Sequence, residues 1–328
     1  MKSVLGIDTS AYTTSLAMVD EKGELVADLR KVLKVEEGKR GLRQSEALFS
    51  HVRNLPFLFA ELEKYFSKYT VGAVAVSTCP RNVTGSYMPV FLAGESMGRS
   101  LSSVVGVPLY TFSHQEGHIM AGQYGNDSTL PERYLAVHFS GGTSEVLLVQ
   151  PGTVHYYDIA VLAATTDLHA GQLVDRVGVS MGLPFPAGKY LEELALAMGK
   201  EQKPVVAIPA AVRGRRFSFS GAETLATRYL RQGVPREEVA FALLRCIANT
   251  LEKVVRDQAG LQAVRDVVLV GGVMANGLIK QRLRERLEHP AVGLRLHFAL
   301  PRLSTDNAVG IALMGREKWL TNMQLEEV

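Results

Sequence analysis

The sharpest chemical signal in the chain is Ser113-His114-Gln115-Glu116-Gly117-His118. A helix starting at Ser113 sets His114 and His118 one turn apart on one face, and two imidazoles at i and i+4 can share a metal ion at about 2.1 Å. A pair of polar surface histidines fits the same spacing, and two ligands do not make a site. A zinc-protease reading fails on geometry. Its glutamate must sit beside the first histidine, whereas Glu116 stands about 200° around the helix from His114. A third ligand is on offer in Ser304-Thr305-Asp306-Asn307, ahead of the apolar Ala308 to Met314. The competing reading of that stretch is an N-cap, which Ser, Thr, Asp and Asn favour.

Two glycine stretches follow strand-like runs: Ser140-Gly141-Gly142-Thr143-Ser144 and Gly271-Gly272-Val273-Met274-Ala275-Asn276. Glycine lets backbone approach a phosphate while exposed N–H groups donate to its oxygens. With Asp8-Thr9-Ser10 they suggest nucleotide phosphates held in a cleft, although glycine pairs are also common in plain turns. Neither the P-loop pattern nor Gly-x-Gly-x-x-Gly occurs, so those nucleotide folds lack their defining feature. Asp175 and Gly188 bracket a Pro/Gly turn, where a carboxylate serves either a ribose or the turn itself. Arg213-Gly214-Arg215-Arg216 before Phe217-Ser218-Phe219 sets cations beside aromatics, useful for RNA or simply solvated. Cys79 and Cys246 have no CxxC context and read as ordinary thiols.

The elements that must position these residues are legible from periodicity. Val4 to Val19, the turn Glu21-Lys22-Gly23-Glu24 and Leu25 to Leu29 read as strand, turn and strand. Leu5 to Val19 overlays Leu135 to Val149 without a gap at an offset of about 130 residues, placing Ser10 on Ser140. That period implies a duplicated domain. Ser45 to Phe66 carries Leu48, Val52, Leu55, Phe59, Leu62 and Phe66 at helical spacing, with Pro56 expected to kink or split the helix. Val71 to Val76 and Val107 to Phe112 read as strands around a helix at Gly94 to Val105. Pro235 opens a helix whose core face is Val239, Leu243, Ile247, Leu251 and Val254. Asp266 to Val270 reads as a strand ending in a glycine turn, with a helix from about Ala275. Strands alternating with helices imply an α/β protein whose ligand lies beyond strand carboxyl ends.

At 328 residues, 47% hydrophobic and 21% charged, the composition excludes a disordered chain or a disulfide-stapled miniature and leaves room for two lobes. Met1-Lys2-Ser3 runs directly into the strand-like Val4-Leu5-Gly6-Ile7, so a cytoplasmic location is expected. No run approaches the roughly 18 apolar residues of a membrane span. A net charge of +3 suits an anionic ligand but is far below a dedicated nucleic-acid coat.

Together these stretches resemble the catalytic-subunit family of tRNA N6-adenosine threonylcarbamoyltransferases, formerly called O-sialoglycoprotein endopeptidases. The resemblance runs in order from Gly6-Ile7-Asp8-Thr9-Ser10 to Thr305-Asp306-Asn307-Ala308. It implies an α/β fold of two duplicated lobes like actin, sugar kinases and Hsp70, with a nucleotide cleft between lobes. The first lobe would comprise 1–118 plus about 300–328 and the second 119–299. It also implies that His114, His118 and Asp306 bind one Fe2+ or Zn2+, and that His138, Phe139, Ser140, Gly141 and Gly142 line the nucleotide and phosphate site. Asp175, Gly188 and Asn276 would hold the adenosine part, with Gly271, Gly272, Asp8 and Ser10 around the phosphates. The implied ligand is ATP or threonylcarbamoyl-AMP. The implied reaction is threonylcarbamoyl transfer to N6 of adenosine 37 in tRNAs reading codons that begin with A. Implied partners are tRNA, the enzyme that forms threonylcarbamoyl-AMP, an inactive homologous scaffold subunit and a small ATPase, with a homodimer left open.

Three loops depart from the family pattern. Thr143-Ser144 replaces His-Thr, Gly171-Gln172-Leu173-Val174-Asp175 replaces Gly-Glu-Ala-Phe-Asp, and Cys79-Pro80-Arg81 replaces Gly-Pro-Gly. A divergent paralogue is therefore an alternative, either as a non-catalytic partner of the true synthase or as another ATP-linked carbamoyl transferase. A small-molecule kinase on the same fold would have no use for the histidine pair.

Overall fold

The structure, a computed structural model, describes residues 1–10, 12–34, 42–125, 130–198 and 205–326. The chain forms two compact units, one of Met1–Gly125, Gly152–Tyr157 and Thr305–Val328, the other of Asn126–Pro151 and Asp158–Ser304. The sequence resemblance implies divisions at 118 and about 300. The first falls later because the helix that begins at His114 continues to Gln123. Nothing in the sequence signals that Gly152–Tyr157 belongs with the first unit.

In the first unit, β1 (Lys2–Thr9), β2 (Thr13–Asp20) and β3 (Leu25–Val32) form an antiparallel meander. Helix α1 (Gln44–Leu62) leads to β4 (Thr70–Cys79), and α2 (Phe91–Val105) leads to β5 (Leu109–Ser113). The sheet order is β3-β2-β1-β4-β5, with β4 and β5 parallel to β1. Apart from Lys2, every residue of β1 and β2 is buried, because helices cover both faces of the sheet. Helix α3 (His114–Gln123) follows β5 directly.

Two expectations about α1 are corrected. Pro56 lies inside the helix without ending it, and a 3-10 turn, Glu63–Tyr65, follows only after Leu62. Pro56 and Val52 both face solvent, so water can reach the Val52 carbonyl that loses its donor at i+4. The buried stripe is Ala47, His51, Leu55, Leu58 and Leu62, leaving Val52 and Phe66 exposed. His51 turns inward because its Nδ1 meets Thr14 Oγ1 at 2.9 Å.

The second unit repeats the first. Its strands β6 (Tyr134–Phe139), β7 (Ser144–Pro151) and β8 (Tyr157–Thr165) precede helices α4 (Ala170–Ser180) and α5 (Gly188–Leu196). The short hairpin β9 (Ala211–Arg213) and β10 (Arg216–Ser218) leads to α6 (Ser220–Arg231) and the long α7 (Arg236–Gln262). Then come β11 (Asp266–Val270), α8 (Gly277–Leu287) and β12 (Arg295–Phe298). The order β12-β11-β6-β7-β8 reproduces β5-β4-β1-β2-β3. The register agrees as well: Val4↔Val19, Ile7↔Leu16 and Thr9↔Thr14 in the first hairpin correspond to Tyr134↔Val149, Val137↔Val146 and Phe139↔Ser144 in the second. The gapless repeat in the sequence is thus a repeat of hydrogen-bonding register. Val239, Leu243, Ile247, Leu251 and Val254 form the buried stripe of α7.

The last helix, α9 (Val309–Glu326), packs against α3 and the sheet of the first unit. Its crossing with α3 has no room for side chains. A Cβ on Gly310 would strike the carbonyl oxygen of Gly117 and lie 2.8 Å from the amide of Ala121, and a Cβ on Gly117 would lie 2.8 Å from Ile311 Cδ1. Gly310→Ala gains about 1 kcal/mol of helix propensity but drives two backbones apart, a larger cost. It is expected to lower stability by about 1–3 kcal/mol net. Gly260→Ala, whose Cβ meets nothing within 4 Å, is expected to raise stability by about 0.5–1 kcal/mol. Urea unfolding midpoints at unchanged slope check both signs.

Candidate functional site

Helix α3 begins on a capping box. Ser113 Oγ accepts from Glu116 N at 3.3 Å, and Glu116 Oε2 accepts from Ser113 N at 2.8 Å. The other carboxylate oxygen, Oε1, accepts from Tyr157 N at 3.1 Å. Both carboxylate oxygens of Glu116 are therefore engaged in local structure. The Ser-x-x-Glu signature of such a box is present in the sequence, where the two histidines within it are the more conspicuous feature.

With the helix start fixed, His114 and His118 face the segment that leads into α9. His118 Nε2 lies 3.3 Å and His114 Nε2 3.6 Å from Asp306 Oδ1. The two rings meet edge to face at 4.5 Å. One ligand atom from each of the three residues lies within 4.8 Å of the others. Next in sequence, Asn307 takes the capping role, its Oδ1 accepting from Val309 N at 3.0 Å. The capping reading of Ser304-Thr305-Asp306-Asn307 thus falls on Asn307, while the Asp306 side chain faces the two histidines.

Asp8, singled out from sequence for a phosphate, is placed against this cluster. Its side chain is fully buried, and its Oδ1 lies 3.0 Å from His114 Nδ1 and accepts from Ser77 Oγ. Its Oδ2 is buried with no hydrogen-bond partner among the described residues. A carboxylate on Nδ1 fixes the imidazole so that Nε2 points at Asp306, the arrangement by which outer carboxylates orient metal-bound histidines. Arg30 steadies the far side, bonding Thr305 Oγ1 at 3.3 Å and the Asp306 carbonyl at 3.4 Å, while itself held by Asp28 at 2.6 Å. Neither role for Asp8 or Arg30 has a local sequence signature. Ser10 is buried at the end of the β1 segment, its Oγ without a partner among the described residues.

Charge in the cluster follows from burial set against pairing. Burial alone would lower His114, but the Asp8 and Asp306 carboxylates overrule it and raise it to about 10. Burial and repulsion from His114 push His118 down. Burial would raise Asp8 and Asp306, yet the charge and hydrogen bonds of His114 hold both below the ordinary carboxylate range, with His118 adding to the effect on Asp306. The resting cluster thus carries two carboxylates against one imidazolium, an excess of negative charge that suits a cation. Two imidazole nitrogens and a carboxylate oxygen are also a donor set that iron and zinc accept.

The glycine stretches gather in the second unit. Ser140-Gly141-Gly142 forms the tight turn between β6 and β7, with Gly141 and Gly142 exposed and a Cβ on either meeting nothing within 4 Å. Ser140 Oγ accepts from the amides of Gly142 and Thr143 at 3.3 and 3.1 Å. Gly171 of α4 presses on this turn, where a Cβ would lie 2.6 Å from Gly141 N. Gly271, at φ +96°, presses on the carbonyl of Phe139, and Gly272 begins the 3-10 turn that follows. Asp175 Oδ1 accepts from Ala187 N at 2.8 Å, setting the turn ahead of Gly188, the first residue of α5. Asn276 caps α8, its Oδ1 accepting from Ile279 N at 3.0 Å. His138 is buried opposite Glu145. The Phe139 ring is fully buried and stacks on Phe217 at 5.6 Å, while its backbone carbonyl lies against Gly271. The departing residues are engaged locally. Ser144 Oγ accepts from Ala170 N at 2.9 Å, Gln172 Oε1 from His169 N at 3.3 Å, and the Pro80 carbonyl from Gln115 N at 3.0 Å.

The fold is similar to that of several solved α/β proteins, a sugar kinase among them. Full-length HypF in its phosphate- and nucleotide-bound form matches 97% of this chain with a TM-score of 0.63 at 13% identity, and the chain spans 46% of HypF. A ROK family glucokinase from Streptomyces griseus in complex with glucose and AMPPNP matches 96% of the chain with a TM-score of 0.53 at 14% identity. A family profile for tRNA N6-adenosine threonylcarbamoyltransferase matches residues 34–313. The protein of that name from Carboxydothermus hydrogenoformans is 30% identical over 98% of this chain and 93% of its own, and that from Archaeoglobus fulgidus is 28% identical over 95% and 90%. The chain belongs to the tRNA N6-adenosine threonylcarbamoyltransferase family. Among the described residues no helix is long and apolar enough to cross a membrane.

The pairing of Asp8 with His114 makes a pH-dependent contribution of known sign. A histidine raised above its unfolded value of about 6.5 stabilises the metal-free protein below that pH, and the stabilisation is lost as pH climbs toward 10. Asp8→Asn is expected to bring the His114 titration down by more than one pH unit, roughly, since its leading charge partner is gone. An NMR titration of the His114 ring in metal-free protein reads this directly. An unchanged midpoint would remove Asp8 as the cause.

Proposed function

We propose that this chain transfers the threonylcarbamoyl group of threonylcarbamoyl-AMP to N6 of adenosine 37 in tRNAs reading codons that begin with A, and that His114, His118 and Asp306 hold one iron or zinc ion for that reaction. The observation that carries the reading is the convergence of these three side chains in a chain of this family. In the transfer, a C–N bond forms from the adenine amine to the acyl carbon, the C–O bond to the phosphate breaks, and the amine loses a proton. A metal held there would supply Lewis-acid polarisation of the acyl donor and a template for its threonyl end.

The protein's own groups then have distinct tasks. Asp8 keeps a proton on His114 Nδ1, leaving Nε2 as the ligand atom. The exposed turn at Ser140-Gly141-Gly142 would offer the Gly141 amide to the departing phosphate, and Asp175, Gly188 and Asn276 would hold the nucleoside. No covalent nucleophile is required. Burial pushes the Cys246 thiol up to about 11 and also raises Cys79, so neither offers a thiolate near neutral pH. The reading also calls for a separate enzyme that makes the adenylate, with a homologous scaffold subunit and a small ATPase as further partners, in the cytoplasm.

Two measurements test it. Purified protein is expected to carry about one iron or zinc per chain, lost in His114→Ala and Asp306→Asn. Because His114 must shed its Nε2 proton to become a ligand, metal uptake near neutral pH is expected to release about one proton. Calorimetry in buffers of different ionisation enthalpy measures it. For the activity, cells depleted of their own enzyme and supplied with this chain are expected to regain threonylcarbamoyladenosine in nucleoside mass spectrometry. Its absence, with the protein soluble and expressed, would favour the non-catalytic paralogue.

A further inference from the structure

The arginines expected to meet RNA at the β9–β10 hairpin are only partly available. Arg215 donates to the carbonyls of Leu162 and Val161 at 2.5 and 2.9 Å, so it serves as a brace. A denser group of cations lies between α7 and α8. On α7, Arg245, Asn249, Glu252 and Arg256 follow steps of four, three and four and so line one stripe. From α8, Arg282 reaches Glu252 at 3.7 Å and Asn249 at 3.5 Å, and Arg286 reaches Glu252 at 2.9 Å. Two guanidiniums, those of Arg282 and Arg286, thus share the Glu252 carboxylate, with Arg245 near enough to repel Arg282 and Arg256 one turn further along the same stripe of α7. Among the described residues no carboxylate is within ion-pair distance of Arg245 or Arg256, and Glu252 is the one that Arg282 and Arg286 reach.

The surplus charge is not relaxed. Arg282 Nε is buried with no hydrogen-bond partner among the described residues. Burial and repulsion from Arg245 and Arg286 hold the Arg282 guanidinium below its ordinary value, against the pull of Glu252 and Glu285. A guanidinium fork matches phosphate oxygens in geometry as well as charge. From Arg245 to Arg256 the stripe runs about 16 Å along the helix, too long for one phosphate group and suited to a succession of them.

We propose that the α7–α8 groove is a contact surface for the phosphate backbone of RNA, with Arg245, Arg256, Arg282 and Arg286 as its cations and Glu252 holding the inner two in place. The partner rests on the tRNA reading above; the surface itself rests on the arginine geometry. The experiment is anisotropy titration of the full-length protein with an unmodified tRNA transcript across roughly 50–200 mM salt. The double variant Arg245→Gln, Arg256→Gln touches two exposed side chains and is expected to fold normally. Its log K against log salt slope should be shallower by about 1.4–1.8, at about 0.7–0.9 for each phosphate no longer neutralised. Glu252→Gln should tighten binding and steepen the slope, whereas a purely structural network predicts lower thermal stability with binding unchanged.

A wild-type slope in the double variant would overturn the surface and leave the tRNA reading standing. No tRNA binding by the wild-type protein would overturn both. Inorganic phosphate supplies the last arm: a phosphate-induced rise in melting temperature that Arg282→Gln abolishes, with the tRNA slope unmoved in the double variant, would make the groove a small-anion site and refute an RNA contact.

Discussion

The candidate site depends on one backbone contact, the crossing of α3 and α9 at Gly117 and Gly310. His118 and Asp306 are 188 residues apart in the chain, and no local preference can bring them together. Two helices approach this closely only where neither carries a side chain, and here the Gly117 carbonyl occupies the space that a Cβ on Gly310 would need. The contact fixes α9 a few residues beyond Asp306 and α3 between its two histidines. The positions of three ligand atoms then follow from helix geometry, from the Ser113–Glu116 capping box and from the Asn307 cap. Tolerance at such a site is about half an ångström, which a loop-borne constellation would not meet without supports of this kind.

Duplication supplies the second constraint. Each unit ends its first strand at a position from which side chains or amides can act, and the matching registers make Asp8 the counterpart of His138 and Ser10 that of Ser140. The copies have diverged in what they do there. In the first, Asp8 is buried and committed to His114; in the second, the turn is open and glycine-rich. Gly6 is tight against the Ala308 carbonyl, where a Cβ would lie 2.6 Å away. Its counterpart Ala136 carries a methyl group that the second unit accommodates. One ancestral hairpin thus serves helix docking in one place and an exposed turn in the other.

Much of this is legible in the sequence because burial patterns are local. Continuous apolar runs mark β1, β4, β6 and β11, steps of four and three mark α7, and the i and i+4 histidines mark the shared face of α3. What is not legible rests on tertiary choices. The buried stripe of α1 is rotated from its apolar pattern because His51 exchanges a hydrogen bond with Thr14, and a polar residue drawn inward does not register as core. Pro56 is tolerated because its face is wet. Asp8 resembles a phosphate ligand because Asp-Thr-Ser at a strand end is common to both roles. The contact with the His114 imidazole is formed only in the folded chain. Gly152–Tyr157 joins the first unit through Tyr157 N on Glu116 and Tyr156 on Glu317, contacts with no pattern in either partner's sequence.

The net charge of +3 conceals an uneven distribution with a physical rationale. In the first unit the buried Asp8 and half-buried Asp306 carboxylates face one imidazolium, while on the second Arg282 and Arg286 share one glutamate with Arg245 close by. The arginine group costs free energy in the unliganded protein, since like charges are held together in partly desolvated surroundings. The first cluster, by contrast, is stabilised by His114 and still keeps one carboxylate in excess. Such charge is retained more readily where a ligand of opposite sign neutralises it. A cation at the first and phosphates at the second would each relieve a local imbalance that the chain average cannot reveal. The same reasoning separates these clusters from Asp266, whose carboxylate is matched by Arg295 and His297 on the adjacent strand. That group is balanced within the fold, so it has no need of a ligand.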